Sequence, residues 1–285
     1  MTKASFLRLS GVVGAAFCVQ CFVAGLAIAQ DSAVSGPNGK LDLGIGADND
    51  AGGVFRFGGS LSLPLGDAFG FQGDLSVQNY YGTLTTSGAL HLFTRDPSSY
   101  LMGVTAGVVR SEAATLGAVG AEAELYLDRL SIEAWAGVAQ LDYDEIVAVD
   151  KSGVFALGDI AYYPTDDLRL SVGAASVLGY ESVNLGAEYQ VAGFELPFSL
   201  TADARFGEDG DIRATAGLKL YFGGGDKSLI DRHRQDDPRD RGLDLFAAAG
   251  NQIVERDPVA SDFTDPGSCE AAGFTWVYSY PEHCA

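Results

Sequence analysis

Between Asn38 and Phe222 the chain alternates apolar and polar residues in runs of about ten, each closed by a turn. In "FGFQGDLSVQN", Phe69, Phe71, Gly73, Leu75 and Val77 share one face, and Gly70, Gln72, Asp74, Ser76 and Gln78 share the other. A side-chain period of two belongs to an extended strand, whereas a helix repeats at about 3.6 residues. "LSIEAWAGVAQL" repeats the pattern, with Leu130, Ile132, Ala134, Ala136 and Val138 set against Ser131, Glu133 and Trp135. "LRLSVGAA", "VNLGAEYQV" and "PFSLTADARF" obey the same rule. The runs add up to about 12 strands, an even number, as closed single-chain membrane barrels have.

The connections differ in length. Gly66-Asp67, Asp96–Ser99, Asp128-Arg129, Thr165–Asp167 and Ala192-Gly193 read as tight turns, while "DYDEIVAVDKS" and "SVLGYES" read as longer loops. Short turns on one rim and longer loops on the other fit an up-and-down barrel in an outer membrane. A soluble sandwich would bury the same apolar face in its own core. Two features favour the barrel before the last strand is considered. Aromatics gather at strand ends: Phe69, Phe93, Tyr100, Tyr162, Phe194, Phe198 and Phe222 near the short turns, Phe55, Tyr80, Tyr81, Tyr143, Tyr180 and Phe206 near the others. Nearly every run also has a continuous apolar face, and none reads as a polar edge strand.

Residues 1–29 read as a cleaved secretory signal: Lys3 and Arg8, an apolar stretch from Gly11, and the small-x-small ending Ala27-Ile28-Ala29. Residues 30–37 form a short lead. The whole chain carries a net charge of −20, and the signal removes two bases and no acid, so the exported chain is still more acidic. Such acidity excludes nucleic acid as a partner. Of the four cysteines, Cys18 and Cys21 leave with the signal. Cys269 and Cys284 remain in an oxidising compartment and are expected to bond to each other. Closing such a loop stabilises by about 3 kcal/mol in the chain-entropy picture.

The last alternating run, Thr215-Ala216-Gly217-Leu218-Lys219-Leu220-Tyr221-Phe222, reads polar-x-Gly-x-x-hydrophobic-x-aromatic. It resembles the β-signal of bacterial outer-membrane β-barrel proteins, and residues 38–223 resemble the small porin-like branch of that superfamily. The resemblance implies an all-β, antiparallel up-and-down transmembrane barrel in the outer membrane of a Gram-negative bacterium. It implies contact with outer-membrane lipid and recognition by the barrel-assembly machinery through Thr215, Gly217, Leu220 and Phe222. One departure stands out: the β-signal usually ends a chain, and here residues 224–285 follow. Both ends of an even-stranded barrel emerge on one rim, the short-turn side, so this tail is expected in the periplasm. "DKSLIDRHRQDDPRDR" mixes both signs with almost no apolar face and reads as solvated and partly disordered. "GLDLFAAAG" reads as a short helix. The aromatic loop between Cys269 and Cys284 is the part expected to hold a fixed shape, and the tail is available to a periplasmic or cell-wall partner.

The polar face of the strands would line the lumen. It holds Lys40, Asp42, Arg56, Asp74, His91, Glu122, Glu124, Glu133, Asp159, Arg169, Glu188, Asp203, Arg205, Arg213 and Lys219. Glu122, Glu124, Glu133 and Asp159 fall on the sixth to eighth strands; Arg205, Arg213 and Lys219 on the last two; Arg56 on the second. In a closed ring these groups face each other, and opposed walls of opposite sign would orient polar solutes. The other reading is that the charges pair in a plugged lumen. A passive channel for small hydrophilic solutes and a structural or partner-binding barrel therefore both stand. No nucleophile elbow, zincin motif or Cys/His metal spacing is present, so no enzyme activity, cofactor or metal is expected. His91 with Ser87 and Thr85 on its face is the remote basis for a lipid hydrolase. The oligomeric state stays open.

Overall fold

The computed structural model describes residues 32–49, 52–80, 82–143, 150–191, 193–253, 265–271, 275–277 and 283–284. The signal expected over residues 1–29 lies outside them. Twelve strands run up and down: β1 (Asn38–Asp48), β2 (Gly52–Leu65), β3 (Phe69–Tyr80), β4 (Thr83–Asp96), β5 (Tyr100–Arg110), β6 (Ala114–Leu127), β7 (Leu130–Tyr143), β8 (Lys151–Thr165), β9 (Leu168–Val177), β10 (Tyr180–Val191), β11 (Phe198–Gly207) and β12 (Ile212–Phe222). Each pairs antiparallel with its sequence neighbours, and β12 returns to pair with β1, Gly39 opposite Phe222 and Asp48 opposite Arg213. The sheet is a closed barrel without an edge, so every strand finds hydrogen-bonding partners on both sides.

The outer surface is apolar. Leu75 and Val154 are three-quarters exposed, and Ile45, Leu90, Leu125, Val138 and Leu185 also point outward. An apolar surface that wraps a whole molecule suits lipid rather than water. Phe69, Tyr162, Phe194 and Phe222 lie on it at the rim where β1 begins and β12 ends, here the near rim. Phe55 and Phe206 lie on it at the far rim. Phe93 and Tyr180 do not belong to these bands. Both are in phase with the inward positions of their strands. Phe93 packs with Val34, Leu101 and Tyr126, and Tyr180 donates to Asp211 at 2.7 Å.

The contrast in connection lengths is weaker than the sequence suggested. "SVLGYES" is a two-residue turn at the far rim, with Leu178 and Gly179 both at positive φ (52° and 90°). Paired positive φ values match the twist of a tight hairpin, and so the strands run on through residues that read as loop. Conversely, β10 ends at Val191 and β11 begins at Phe198, so the near-rim connection between them is longer than the two-residue turn expected at Ala192-Gly193.

The largest correction concerns the tail. Residues 226–253 do not hang in the periplasm as a solvated, partly disordered appendage; they fold back into the barrel. Helix α1 (Leu229–Gln235) starts at Ser228, whose hydroxyl accepts the Asp231 N–H. Helix α2 (Arg241–Ala249) starts at Asp240, whose carboxylate accepts the Leu243 N–H at 2.9 Å. Both are ordinary N-caps. A 3-10 turn (Gly250–Ile253) follows. Beyond it, the helix Pro266–Ala271 and the strand pair Trp276–Val277 with His283–Cys284 surround a Cys269–Cys284 disulfide, Cα atoms 5.8 Å apart.

Candidate functional site

The lumen is layered from near rim to far rim. At the near rim the lead and α1 fill the mouth. Ala33 and Val34 are fully buried, and the Ala33 N–H donates to Asp67 O. The Ser35 N–H donates to Gln235 O, and the Ser35 hydroxyl donates to Asp236. Helix α1 is tied to the β8–β9 turn by Ile230 N–H to Asp166 O at 3.0 Å and to β10 by Arg232 to Gln190 at 2.9 Å. Arg234 lies over the rings of Tyr126 and Tyr163 and donates to Leu130 O. Such stacking suits a guanidinium better than an ammonium.

The middle layer is charged. Glu122 (β6), Glu133 (β7) and Asp159 (β8) point inward, as their phase requires. The tail supplies their counter-ions. Arg239 reaches Glu133 at 3.2 Å and Asp159 at 2.9 Å. Arg241 reaches Glu122 at 3.4 Å, and its backbone N–H donates to Asp74 at 3.0 Å. Asp244 holds both arginines, at 2.6 Å and 3.0 Å. Glu124 accepts from Tyr126 at 2.9 Å, and Arg169 from β9 pairs with Glu133 at 3.0 Å. Across the lumen Arg56 bridges Asp42 and Asp203, Lys219 pairs with Glu188 at 2.6 Å, Arg205 donates to Ser182, and Arg213 pairs with Asp48. Lys40 pairs with Asp237 at 2.9 Å and donates to Pro238 O. The opposed-wall arrangement is thus replaced by local neutralisation: the acidic wall is met by arginines of the tail, while Arg56, Arg213 and Lys219 are met by carboxylates of the barrel wall. A polar cavity of about 150 Å³ remains between α2's N-terminal end and the wall of Arg56, Asp203 and Lys219.

Toward the far rim the inward positions of β6, β7 and β8 become apolar. Along β7 they read Ser131, Glu133, Trp135, then Ala139 and Leu141; β6 and β8 show the same gradient. Leu245, Phe246, Ala248, Ala249 and Ile253 of the tail pack there against Val109, Leu116, Leu141, Phe155 and Val177. A water-filled bore would gain nothing from such residues; an internal helix does.

Every inward residue expected from the sequence faces the lumen in its strand's phase. Inward charges missed by that reading are Asp48, Arg95, and the tail's Asp237, Arg239, Asp240, Arg241 and Asp244. The missed signal was the apolar turn in the inward phase at the far ends of β6, β7 and β8, matched by the apolar residues of "GLDLFAAAG". His91 and Ser87 are not brought together. His91 contacts Asp74 at 2.7 Å, Glu122 at 3.1 Å and Thr105 at 3.2 Å, while Ser87 bonds Ser76. Of the terminal strand residues, Thr215 faces inward and Phe222 outward at the near rim; Leu220 pairs with Leu41 and Gly217 with Gly44 in the seam that closes the barrel.

No protein-family model matches the chain, and no curated protein does. Among solved structures, the KdgM porin is similar at 12% identity over 65% of this chain and 99% of its own, with a TM-score of 0.49. The NanC porin is similar at 8% identity over 64% and 99%, TM-score 0.48. Outer membrane phospholipase A from Escherichia coli is similar at 14% identity over 65% and 92%, TM-score 0.42. Values this low carry neither solute nor activity across. From its own strand pairing, the chain is a closed twelve-stranded antiparallel β-barrel with a lipid-suited outer face, filled by a segment of its own tail.

Proposed function

We propose that the protein is a porin-like outer-membrane channel for small hydrophilic solutes, closed in this state by residues 226–253. The observation that supports the reading most is the middle layer: a wall of both charge signs around a polar cavity of about 150 Å³. Such a layer is hospitable to water and polar solutes once the tail's arginines withdraw. Arg56, Glu122, Glu124, Glu133, Asp159, Arg169, Arg205, Arg213 and Lys219 would then line the path. Thr215, Gly217, Leu220 and Phe222 would be read by the barrel-assembly machinery. No reaction is proposed. The second reading, a permanently plugged structural barrel, is favoured by the apolar layer around Leu245 and Phe246.

Planar-bilayer recording decides between them. A chain ending at Gly225 should give large conductance steps, and the full chain rare or small ones. The open form should prefer cations weakly, because the inward acids outnumber the bases, and the preference should shrink as salt shortens the Debye length to about 3 Å at 1 M. Changing Glu122, Glu124 and Glu133 together to Gln should shift the reversal potential toward anions. A folded but silent truncated barrel would end the channel reading. A conducting truncated barrel beside a full chain silent at every voltage would favour the permanent plug.

A further inference from the structure

We infer that the tail threads the barrel from rim to rim and holds its disulfide-bonded end at the far rim, which is the cell surface if the strand ends lie in the periplasm. The path can be followed residue by residue. It leaves β12 at the near rim, where the Ile230 N–H donates to Asp166 O in the β8–β9 turn. At mid-height the Arg241 N–H donates to Asp74. At the far rim Gln252 donates to Val177 O at 3.1 Å, and Val177 is the last residue of β9 before the Leu178-Gly179 turn.

The dimensions agree. Helices of 7 and 9 residues with an extended link between them cover about 35–40 Å at 1.5 Å per helical and 3.3 Å per extended residue. A 14-residue strand tilted by about 40° stands about 35 Å tall. From Ile253 to Asp265 there are about 12 residue steps, a reach of at most about 40 Å when fully extended. A return to the near rim would have to recross a lumen already filled by α1 and α2, or pass outside through lipid with its backbone unpaired. Neither route is open, so the module closed by Cys269 and Cys284 stays where the thread emerges. A disulfide suits such a site, since a small unit beyond the membrane has little core of its own. The barrel thereby acts as a mount that displays its own C-terminal module. This does not depend on whether the lumen ever conducts.

Three epitope insertions test it in intact cells, with heat-modifiable migration confirming that each barrel is folded. One tag follows Ala285, one lies in the 144–150 connection at the far rim, and one in the 193–197 connection at the near rim. Antibody labelling of the C-terminal tag should follow the 144–150 tag, at a signal within about twofold, and differ from the 193–197 tag until the outer membrane is permeabilised. A C-terminal tag that follows the near-rim reporter, or is silent where the far-rim reporter labels, overturns the inference. If the two reporters are themselves reversed, the module still lies at the far rim but not at the surface, and the cell-surface claim falls. A paired change, Gly107→Cys with Leu245→Cys, adds a check on the thread itself: a Cβ at Gly107 would lie 3.4 Å from Leu245 Cδ2. A short bifunctional maleimide should join the two cysteines in membranes, and no join where each cysteine alone reacts with a monofunctional maleimide would overturn the threaded path.

Discussion

Arg241 joins two networks that hold the tail in the lumen. Its guanidinium touches Glu122 and Asp244, and its backbone N–H reaches Asp74, which also contacts His91. Glu122 and Asp74 are almost fully buried. Removing one partner of a buried pair costs about 3–5 kcal/mol, mostly because a charge is left behind without its counter-ion. Arg241→Ala should therefore loosen α2 without touching the strand pairing. The expected outcome is more frequent conductance events and faster proteolysis of residues 226–253, with unchanged heat-modifiable migration. Arg241→Lys keeps the charge but loses the fork that reaches two carboxylates, and should fall between. A wild-type proteolysis rate in Arg241→Ala would mean that the apolar layer alone holds the helix.

Strand β12 shows why one element decides closure. It must pair with both β11 and β1, and its residue Gly217 faces Gly44 across the seam. A Cβ added at Gly217 would lie 2.5 Å from Leu43 O and 2.6 Å from Thr201 Oγ1. Gly217→Lys therefore crowds the seam, and Phe222→Ala removes the outward aromatic at the near rim. Both should lower the folded, heat-modifiable fraction several-fold, whereas substitutions after residue 265 should not. Equal folded fractions for all of them would show that the "TAGLKLYF" match has no role in assembly. At this scale the reading from sequence worked where it depended on phase: Asp74, Glu133 and Lys219 were placed inward by a period that neighbours set. It was weaker at the strand ends. Leu178 continues an apolar run yet makes a tight turn, and Phe93 falls in an aromatic cluster by position but in the lumen by phase.

For the whole molecule, all twelve strand pairings of the barrel lie within residues 38–222. A chain ending at Gly225 should thus still form a barrel, extract only with detergent, and shift on gels when boiled. Loss of the barrel on this truncation would show that the tail is required for folding and does not merely fill a finished wall. Recovery of the full chain as a freely soluble monomer would contradict the lipid-suited outer face. In protein purified without reductant, Cys269 and Cys284 should titrate no free thiol, as their bond in the structure requires.

Strand phase, the approximate strand number and the inward side of most strand charges were determined by the sequence alone, because a side-chain period of two is a local property of the chain; Asp48 and Arg95 escaped that reading. The position of the tail was not. Read by itself, "DDPRDR" has no apolar face to bury and belongs in water. Only barrel closure brings Glu133, Asp159 and Glu122 around Arg239 and Arg241, from strands some 80 to 120 residues away in sequence. Pairing of neighbouring strands sets Leu116, Leu141 and Phe155 side by side, and closure wraps that apolar layer around α2. A charged segment is buried when the structure around it offers matching charges, and that offer exists only in three dimensions.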